Sequence, residues 1–515
     1  MELFTQGFDL FFTITNIGLI NIGIIVGIVF GAIPGLTANI GLILALPITF
    51  AFQPISAISM LLGIYVGGQY GGSISAILLG VPGTGSAAAD LLDGRPLALR
   101  GSGRKASLIA LYSSVIGGVF SALCLLLFSP LLARAALLIA PPEYFVLAIF
   151  GLTIIAGVSG KNLLIGILSA SLGMFISVIG MDSQTGVLRF GFGSLNLFNG
   201  FALVTLMFGT FAFPNLLNMI RTKAYDKEVS ESFKLNNKEK VSRAEMKQCA
   251  APIAKGSIIG ALIGAIPGTG AAIAAYMSYS NAKSSSKHPE RFGTGALEGI
   301  AAPESANSAT TASSFIPLFT LGIPGTIAAA TLVGALTVHG LTPGPGLFRN
   351  HGVTMYAIMI SFIFINLFVL LQGRYLAGFF AKILNVPSAI IIPALTLISL
   401  AGAYAVTGRM FNLYAAIGFA FFFYILSKFG FIRAPFIVGM VLGPLAEVNL
   451  SRSLVMGEGS VWIFFTRPIS AVLIAFTLYY AFTTLRRNRK LYRSENTGSS
   501  DGENPESKNE GSKDS

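Results

Sequence analysis

The sequence predicts an all-α polytopic membrane protein with about 12 transmembrane segments, including broken or re-entrant helices, arranged as two inverted repeats. Its 515 residues are 53% hydrophobic and only 11% charged, whereas soluble domains are about 25% charged. Apolar stretches long enough to span a bilayer recur from Phe11 to Tyr480. They are continuous and not alternating, which argues against a β-barrel. A pair of short motifs also occurs once in each half of the chain.

The first motif, GAIPG, occupies residues 31–35 and returns letter for letter at residues 264–268. The second is GVPGT at residues 80–84 and GIPGT at residues 322–326. The offsets are similar, 264 − 31 = 233 and 322 − 80 = 242. Proline removes a backbone donor and glycine loosens the backbone, so each motif predicts a break in a helix. Matching breaks in two hydrophobic halves are typical of the substrate sites of transporters.

Charge divides the chain into four parts. The net charge of +12 does not indicate nucleic-acid binding, because the basic residues flank apolar spans, as positive-inside topology requires. A polar insert, Arg221–Lys247, separates the halves, and a basic cluster follows residue 485, which predicts a cytoplasmic C-terminus. The predicted divisions are a first membrane repeat (1–220), a cytoplasmic polar loop (221–250), a second repeat with additional spans (251–485) and a cytoplasmic disordered tail (486–515).

Loop charge also predicts how the halves are oriented. Basic residues follow GVPGT in the first half but GAIPG in the second. If these residues mark the cytoplasm, the halves face opposite ways. Arg349, after GIPGT, does not fit this pattern. The two basic groups are Arg95, Arg100, Arg104 and Lys105 in the first half, and Lys283, Lys287 and Arg291 in the second.

The apolar segments that follow the two GAIPG motifs are short. They cover residues 36–52 and 270–281, whereas a spanning helix needs about 20 residues. We interpret them as re-entrant hairpins or half-helices, the alternative being an ordinary kinked helix. The N-terminus of a half-helix presents free N–H groups and the positive end of a dipole, which suits an anion.

The four breaks are therefore the predicted substrate site. The stretch GVPGTGSAAADLLDG (80–94) lacks the lysine of a phosphate-binding P-loop, and no βαβ context surrounds it. The alternative is that each motif is a tight turn between packed helices. The predicted substrate-binding residues are Pro34, Gly35, Asn39, Pro82, Gly83, Thr84, Pro267, Gly268, Thr269, Pro324, Gly325 and Thr326.

A polar run at Glu298–Ser314 is the predicted site of ion coupling. Hydroxyl and amide oxygens together with carbonyls freed at a helix break suit Na⁺, and an intramembrane carboxylate could instead carry a proton. We assign Glu304, Ser305 and Asn307 to this site, the alternative being an interfacial loop that meets water. Asp90 and Asp93 are interpreted as a helix end facing the cytoplasm. We expect no cofactor, no metal beyond Na⁺ and, lacking a catalytic constellation, no enzymatic activity.

These stretches resemble the large membrane subunit of the tripartite tricarboxylate transporters, the TctA family. The resemblance covers most of residues 1–485, apart from the polar insert and tail. The family's paired asparagines after Pro-Glu become Asn307 and Ser308 here, and its aromatic before the proline of Asp-Gly-x-Pro becomes Arg95. The motifs are GAIPGLTANIGLILALPITF (31–50), YVGGQYGGSISAILLGVPGTGSAAADLLDGRPLALRG (65–101), GAIPGTGAAIAAYMSYSNAK (264–283), APES (302–305), IPLFTLGIPGT (316–326) and HGLTPGPGLF (339–348).

The resemblance implies a secondary transporter in the cell inner (cytoplasmic) membrane. It implies two partners: a small transmembrane subunit and an extracytoplasmic solute-binding protein that delivers a carboxylate such as citrate. Uptake would be driven by a Na⁺ or H⁺ gradient, and family analogy favours an elevator motion. The alternative function is an organic-anion channel or exporter that needs no binding protein.

Overall fold

A computed structural model of the protein describes residues 2–33, 36–158, 163–182, 185–222, 239–375 and 388–498. It is almost entirely helical, with one two-stranded antiparallel ribbon in which Gly180 pairs with Arg189. Six of the described helical segments are long and apolar enough to cross a membrane. These are Ile14–Ala32, Ala87–Ala136, Gly352–Tyr375, Met410–Lys428, Arg433–Met456 and Pro468–Arg486. The chain is thus a helical membrane protein.

The first half begins with two helices joined by a cap: the Thr13 side chain accepts a hydrogen bond from the N–H of Asn16 at the start of the second helix. Its elements are α1 (Glu2–Phe11), α2 (Ile14–Ala32), α3 (Ala38–Thr49), α4 (Pro54–Leu79), a 3₁₀ helix (Ala87–Leu91), α5 (Gly94–Leu97), a π-helical turn (Ala98–Ser102), α6 (Gly103–Ala136), α7 (Pro141–Val158), α8 (Leu163–Ser177), β1 (Gly180–Met181), β2 (Leu188–Arg189), a 3₁₀ turn (Leu195–Leu197), α9 (Leu203–Met207), a π-helical turn (Phe208–Ala212) and α10 (Phe213–Thr222).

The second half begins inside the predicted polar loop, where Ser242 and Glu245 form a reciprocal capping box. Its last helix continues into the predicted tail, of which residues 499–515 lie outside the described part. The elements are α11 (Arg243–Gly264), α12 (Gly270–Ser285), a 3₁₀ turn (Pro289–Arg291), α13 (Leu297–Ser313), α14 (Phe315–Leu321), α15 (Ile327–Val338), α16 (Gly346–Asn350), α17 (Gly352–Tyr375), α18 (Ser388–Ala405), α19 (Met410–Lys428), α20 (Arg433–Met456), α21 (Ile463–Thr466) and α22 (Pro468–Gly498).

The same order of elements follows the motifs in both halves. A helix ends at GAIPG, a short helix follows, a long segment leads to GVPGT or GIPGT, and the chain then turns back. The short helices α3 and α12 have 12 and 16 residues, or about 18 and 24 Å at 1.5 Å per residue. Both are shorter than the roughly 30 Å of a hydrocarbon core. Their predicted shortness is confirmed.

Each half contains one pair of helices in very close contact, which we call a glycine seam. In both halves glycine recurs every fourth residue on the first helix, and a Cβ atom there would lie less than 3.0 Å from atoms of the second helix. Such separations do not occur between real Cβ atoms and their neighbours, so only glycine fits. The seams pair α2 with α4 and α11 with α13. Their glycines are Gly23, Gly27 and Gly31, and Gly256, Gly260 and Gly264.

Candidate functional site

The second motif of each half ends a helix in the same way. Gly80 follows α4 with φ 72°, and Gly322 follows α14 with φ 77°. This left-handed conformation costs glycine little and directs the chain out of the helix. Pro82 and Pro324, two residues later, cannot continue the helical hydrogen bonding. Both predicted breaks are confirmed at these positions.

Within each half the two broken segments touch. Gly83 lies against the carbonyl oxygen of Gly31, so closely that no Cβ atom could be added. In the second half the N–H of Gly268 donates to the carbonyl oxygen of Gly325 at 2.9 Å. The backbones of the paired motifs therefore support one another. Pro34 and Gly35 lie outside the described residues.

The two pairs of breaks meet around one cavity of about 310 Å³, at the small end of the usual range for ligand sites. Both halves contribute to its wall. Among its described lining residues there is no Lys, Arg, His, Asp or Glu. The wall consists of Thr37, Ala38, Asn39, Tyr65, Gln69, Thr84, Gly85, Ser86, Ile155, Gly268, Thr269, Gly270, Ala271, Ala272, Gly325, Thr326, Ile327, Ala328, Ala434 and Val438.

Three helix N-termini open onto this cavity. The first residues of α3, α12 and α15 all belong to its wall. The first four N–H groups of a helix lack intrahelical partners, and the helix dipole places about half a positive charge at that end. Three such ends converging on one space create a region of positive potential without a basic side chain. This arrangement suits a small anion.

Hydroxyl and amide side chains complete the wall. The hydroxyls of Thr84 and Ser86 are 3.1 Å apart, and Ser86 donates to the Gln69 amide oxygen at 3.4 Å. On the opposite side, the Thr326 hydroxyl caps α15 by accepting from the N–H of Ala329 at 3.1 Å. These groups can donate to ligand oxygens, and they hold the helix ends in place.

The structure brings most of the predicted substrate residues together. Sequence reasoning missed Tyr65 and Gln69 of α4, although glutamine in an apolar run (YVGGQYGG) was an available signal. Pro82, Gly83, Pro267 and Pro324 adjoin the wall and shape its backbone without lining it. The predicted residues that do line it are Asn39, Thr84, Gly268, Thr269, Gly325 and Thr326.

The structure of the polar run at Glu298–Ser314 differs from the expectation of a helix break or an interfacial loop. It contains neither a helix break nor an interfacial loop, since α13 runs through it without interruption and its residues from Gly299 to Ser313 are buried. Its hydroxyls bond carbonyls one turn earlier, as when Thr310 donates to Asn307 at 2.7 Å. Local bonds of this kind satisfy the hydroxyl groups within the helix. The break falls later, after α14.

Glu304 is fully buried in α13. One of its oxygens, Oε2, accepts from the Ser73 hydroxyl at 2.6 Å and from the Asn307 amide at 3.4 Å. The Ser305 hydroxyl lies against Gly256 of α11 and donates to the carbonyl oxygen of Ala302, while the Ser305 backbone packs on Gly117 of α6. None of the predicted ion-coupling residues lines the cavity, and of the three only Glu304 and Asn307 are in contact through their side chains.

Asp93 is also buried, with 0% of its surface exposed, although sequence analysis placed it at a helix end facing the cytoplasm. Its Oδ1 accepts from three backbone N–H groups, those of Gly293, Gly295 and Ala296, at 2.9, 2.7 and 2.8 Å. Its Oδ2 accepts from the Tyr279 hydroxyl at 3.0 Å. This carboxylate joins the basic loop of the first half to that of the second, so the two loops lie side by side.

Comparison with known proteins identifies the family. The model of the tripartite tricarboxylate transporter TctA family matches residues 17–438. An uncharacterized 52.8 kDa protein of the TAR-I ttuC' 3' region of Agrobacterium vitis is 35% identical over 469 residues, which cover 91% of this chain and 93% of that protein. An uncharacterized protein of the TAR-II ttuC' 3' region of the same organism is 39% identical over 219 residues, or 42% of this chain and 90% of that protein. No solved structure matches. The chain belongs to the tripartite tricarboxylate transporter TctA family.

Proposed function

We propose that this chain is the large transmembrane subunit of a secondary transporter that imports tricarboxylates or related carboxylates such as citrate. The observation that carries the proposal is the cavity in which three helix N-termini converge and whose described lining includes no basic side chain. Such a site can hold an anion through backbone donors and release it without breaking an ion pair. Transport requires both steps.

Family membership supports the rest of the assembly. A small transmembrane subunit and an extracytoplasmic solute-binding protein would complete the system, and a Na⁺ or H⁺ gradient would drive uptake. We place it in the cell inner membrane with its C-terminus in the cytoplasm. The contact between the two basic loops through Asp93 supports an inverted arrangement of the halves, because loop charge assigns both loops to the cytoplasmic face.

The direct test is uptake of labelled citrate into proteoliposomes that contain this chain, the small subunit and the binding protein. We expect uptake that needs all three components and an inward gradient of Na⁺ or H⁺. Flux that is independent of the binding protein and of both gradients would instead indicate the organic-anion channel or exporter. If citrate is not taken up, other labelled di- and tricarboxylates are tested in the same vesicles.

The cavity itself is tested with Asn39→Asp. This substitution changes almost no volume, and an acid in the first turn suits the helix dipole of α3. It places a negative charge in the anion site, so we expect uptake to fall by about tenfold or more while membrane insertion is normal. The matched control is Asn196→Asp, at an exposed position outside the cavity wall. Equal uptake by the two variants would contradict the site.

A further inference from the structure

A second polar site lies one helical turn from the cavity. Four side chains meet there, from α4, the 3₁₀ helix and α13. All are buried, with exposures of 0% for Ser73, 1% for Asp90, 0% for Glu304 and 1% for Asn307. None of them lines the cavity. Sequence reasoning assigned Glu304 and Asn307 to ion coupling, but neither Ser73 nor Asp90.

The site has more acceptors than donors. Ser73 and Asn307 both donate to Glu304 Oε2. Four buried oxygens are left without a donor among the described residues: both carboxylate oxygens of Asp90, Oε1 of Glu304 and Oδ1 of Asn307. The Ser73 hydroxyl lies beside Asp90 as well, but its one hydrogen is donated to Glu304. The carboxyl groups of Asp90 and Glu304 lie close enough to bond each other. Two ionised carboxylates cannot do so, because neither carries a hydrogen.

The described groups whose charges act on the pair include no basic residue. The charge of Glu304 acts on Tyr70 of α4, as does Tyr112 of α6, and neither tyrosine adds a positive charge. Asp93 of the neighbouring turn is occupied by its own four donors. Burying two negative charges without a counterion is prohibitively costly. A cation must therefore accompany the pair whenever both carboxylates are ionised, or a proton must lie between them.

We infer that Asp90 and Glu304 together bind one monovalent cation, a proton or Na⁺, with the oxygens of Ser73 and Asn307 available as further ligands. Oxygen ligands of this kind suit Na⁺, and a carboxyl pair also suits a shared proton. The unbonded Asn307 oxygen is the independent sign of a ligand, since a buried amide oxygen otherwise finds a donor. The inference rests on the proposed function in one respect, which is that this cation is the one coupled to uptake.

Two elements, the 3₁₀ helix and α4, connect this cation to the anion cavity. The 3₁₀ helix carries Asp90 and directly follows Ser86, which lines the cavity. Helix α4 carries Ser73, and one turn earlier it carries Gln69, the acceptor for Ser86. A cation that holds the 3₁₀ helix against α13 therefore also positions the Ser86 hydroxyl in the cavity wall. Binding at either site then favours binding at the other, because such coupling is reciprocal.

The binding test needs no substrate. Melting temperatures of the purified chain are compared in NaCl and in choline chloride at equal ionic strength, over a series of pH values. The variants are Asp90→Asn and Glu304→Gln. The control is Glu143→Gln, since Glu143 is a buried carboxylate with a counterion, Arg467, at 2.6 Å. Its variant has a lower baseline stability but should respond to cations as the wild type does.

Two results support the inference and assign the cation. If NaCl raises the melting temperature of the wild type and of the control, but not of either site variant, the bound cation is Na⁺. If Na⁺ has no effect, the bound cation is a proton when the melting temperature falls as pH rises and falls less in the site variants. The reason is that the folded pair then holds a proton that the unfolded chain releases. Site variants that respond to both Na⁺ and pH as the wild type does overturn the inference.

A transport measurement tests the coupling separately. In the reconstituted system, two rates are measured: gradient-driven accumulation of labelled carboxylate, and exchange of labelled for unlabelled carboxylate. The first rate is then divided by the second. We expect this ratio to fall by about tenfold or more in Asp90→Asn and Glu304→Gln and to be unchanged in Glu143→Gln. A ratio equal to that of the wild type in the site variants would remove the pair from coupling. Failure of the wild type to transport any carboxylate would refute the proposed function, yet leave the melting test valid.

Discussion

Asp90 and Asp93 lie three residues apart, both are fully buried, and they have opposite surroundings. Asp93 accepts four hydrogen bonds, three of them from backbone N–H groups. Asp90 has no donor of its own among the described residues, because the Ser73 hydroxyl beside it donates its one hydrogen to Glu304, and it faces a second carboxyl group. A buried carboxylate with its donors in place is part of the framework, whereas one without them needs a partner from outside the chain. Burial alone therefore does not distinguish structural from functional acids.

Removing the donor-rich carboxylate should have the largest effect on stability. Asp93→Ala leaves the Tyr279 hydroxyl and three partly buried backbone N–H groups without their charged acceptor, at a cost of roughly 3 kcal/mol. We expect a much lower yield of monodisperse protein and a lower melting temperature. The control is Asp9→Ala, at an exposed position in α1. A melting temperature like that of the control would show that the hydrogen bonds of Asp93 do not stabilise the fold.

Tyr279→Phe should lower the stability less, because it removes only one of the hydrogen bonds to Asp93. The substitution removes one donor to Asp93 and keeps the edge-to-face contact with Phe292, whose ring centroid is 5.7 Å away. We expect a loss of about 1 kcal/mol, read from the melting temperature. A loss as large as that of Asp93→Ala would mean that the backbone donors contribute little.

Glu245, at the polar N-terminus of α11, lies between Asp93 and Asp90 in the number of partners that its carboxylate has. Its carboxylate accepts from the N–H of Ser242 at 2.7 Å and pairs with Lys105 at 3.0 Å. The Ser242 hydrogen bond is the main cause that holds the pKa of Glu245 below its usual range. The resulting stability is present above the unfolded pKa and is lost as pH falls through the folded value.

Glu245→Gln should therefore cost roughly 0.5 kcal/mol at neutral pH and flatten the decline of the melting temperature on acidification. The measurement is a melting series from neutral pH to about pH 4, near the ordinary pKa of glutamate. A series that parallels the wild type at every pH would contradict the assignment.

Asp90→Asn should have the smallest effect, and it is the substitution that decides the comparison. An amide in this position can donate to Glu304 and removes one buried charge. We expect a melting temperature equal to or higher than that of the wild type in choline buffer. A decrease like that of Asp93→Ala would show that the two aspartates play the same structural part.

The helix breaks could be predicted from the sequence because their cause is local. Proline and glycine act on their own backbone, so the repeated motifs located the helix ends, and Gly80 and Gly322 end their helices as expected. The short lengths of α3 and α12 followed from apolar length alone. The family resemblance, which rests on the same motifs, is confirmed.

The burial of Asp90 and Asp93 could not be predicted in this way. Both precede a basic loop, which suggested a helix end in water, but the chain folds back into the protein before that loop begins. Their partners are distant in sequence, and Ser73 and Glu304 are likewise 231 residues apart. No local pattern reports such contacts, because they arise from how the halves pack.

The glycine seams have a consequence for measuring how this protein moves. Along each seam the backbones of two helices are in direct contact over several turns, so the pair cannot separate or slide without losing that contact over its whole length. Spectroscopic labels placed on both sides of one seam should therefore report the same distance in every state of the protein. A seam can therefore serve as a fixed reference, and the distance from it to a label on a helix outside the seam should report the motion of that helix.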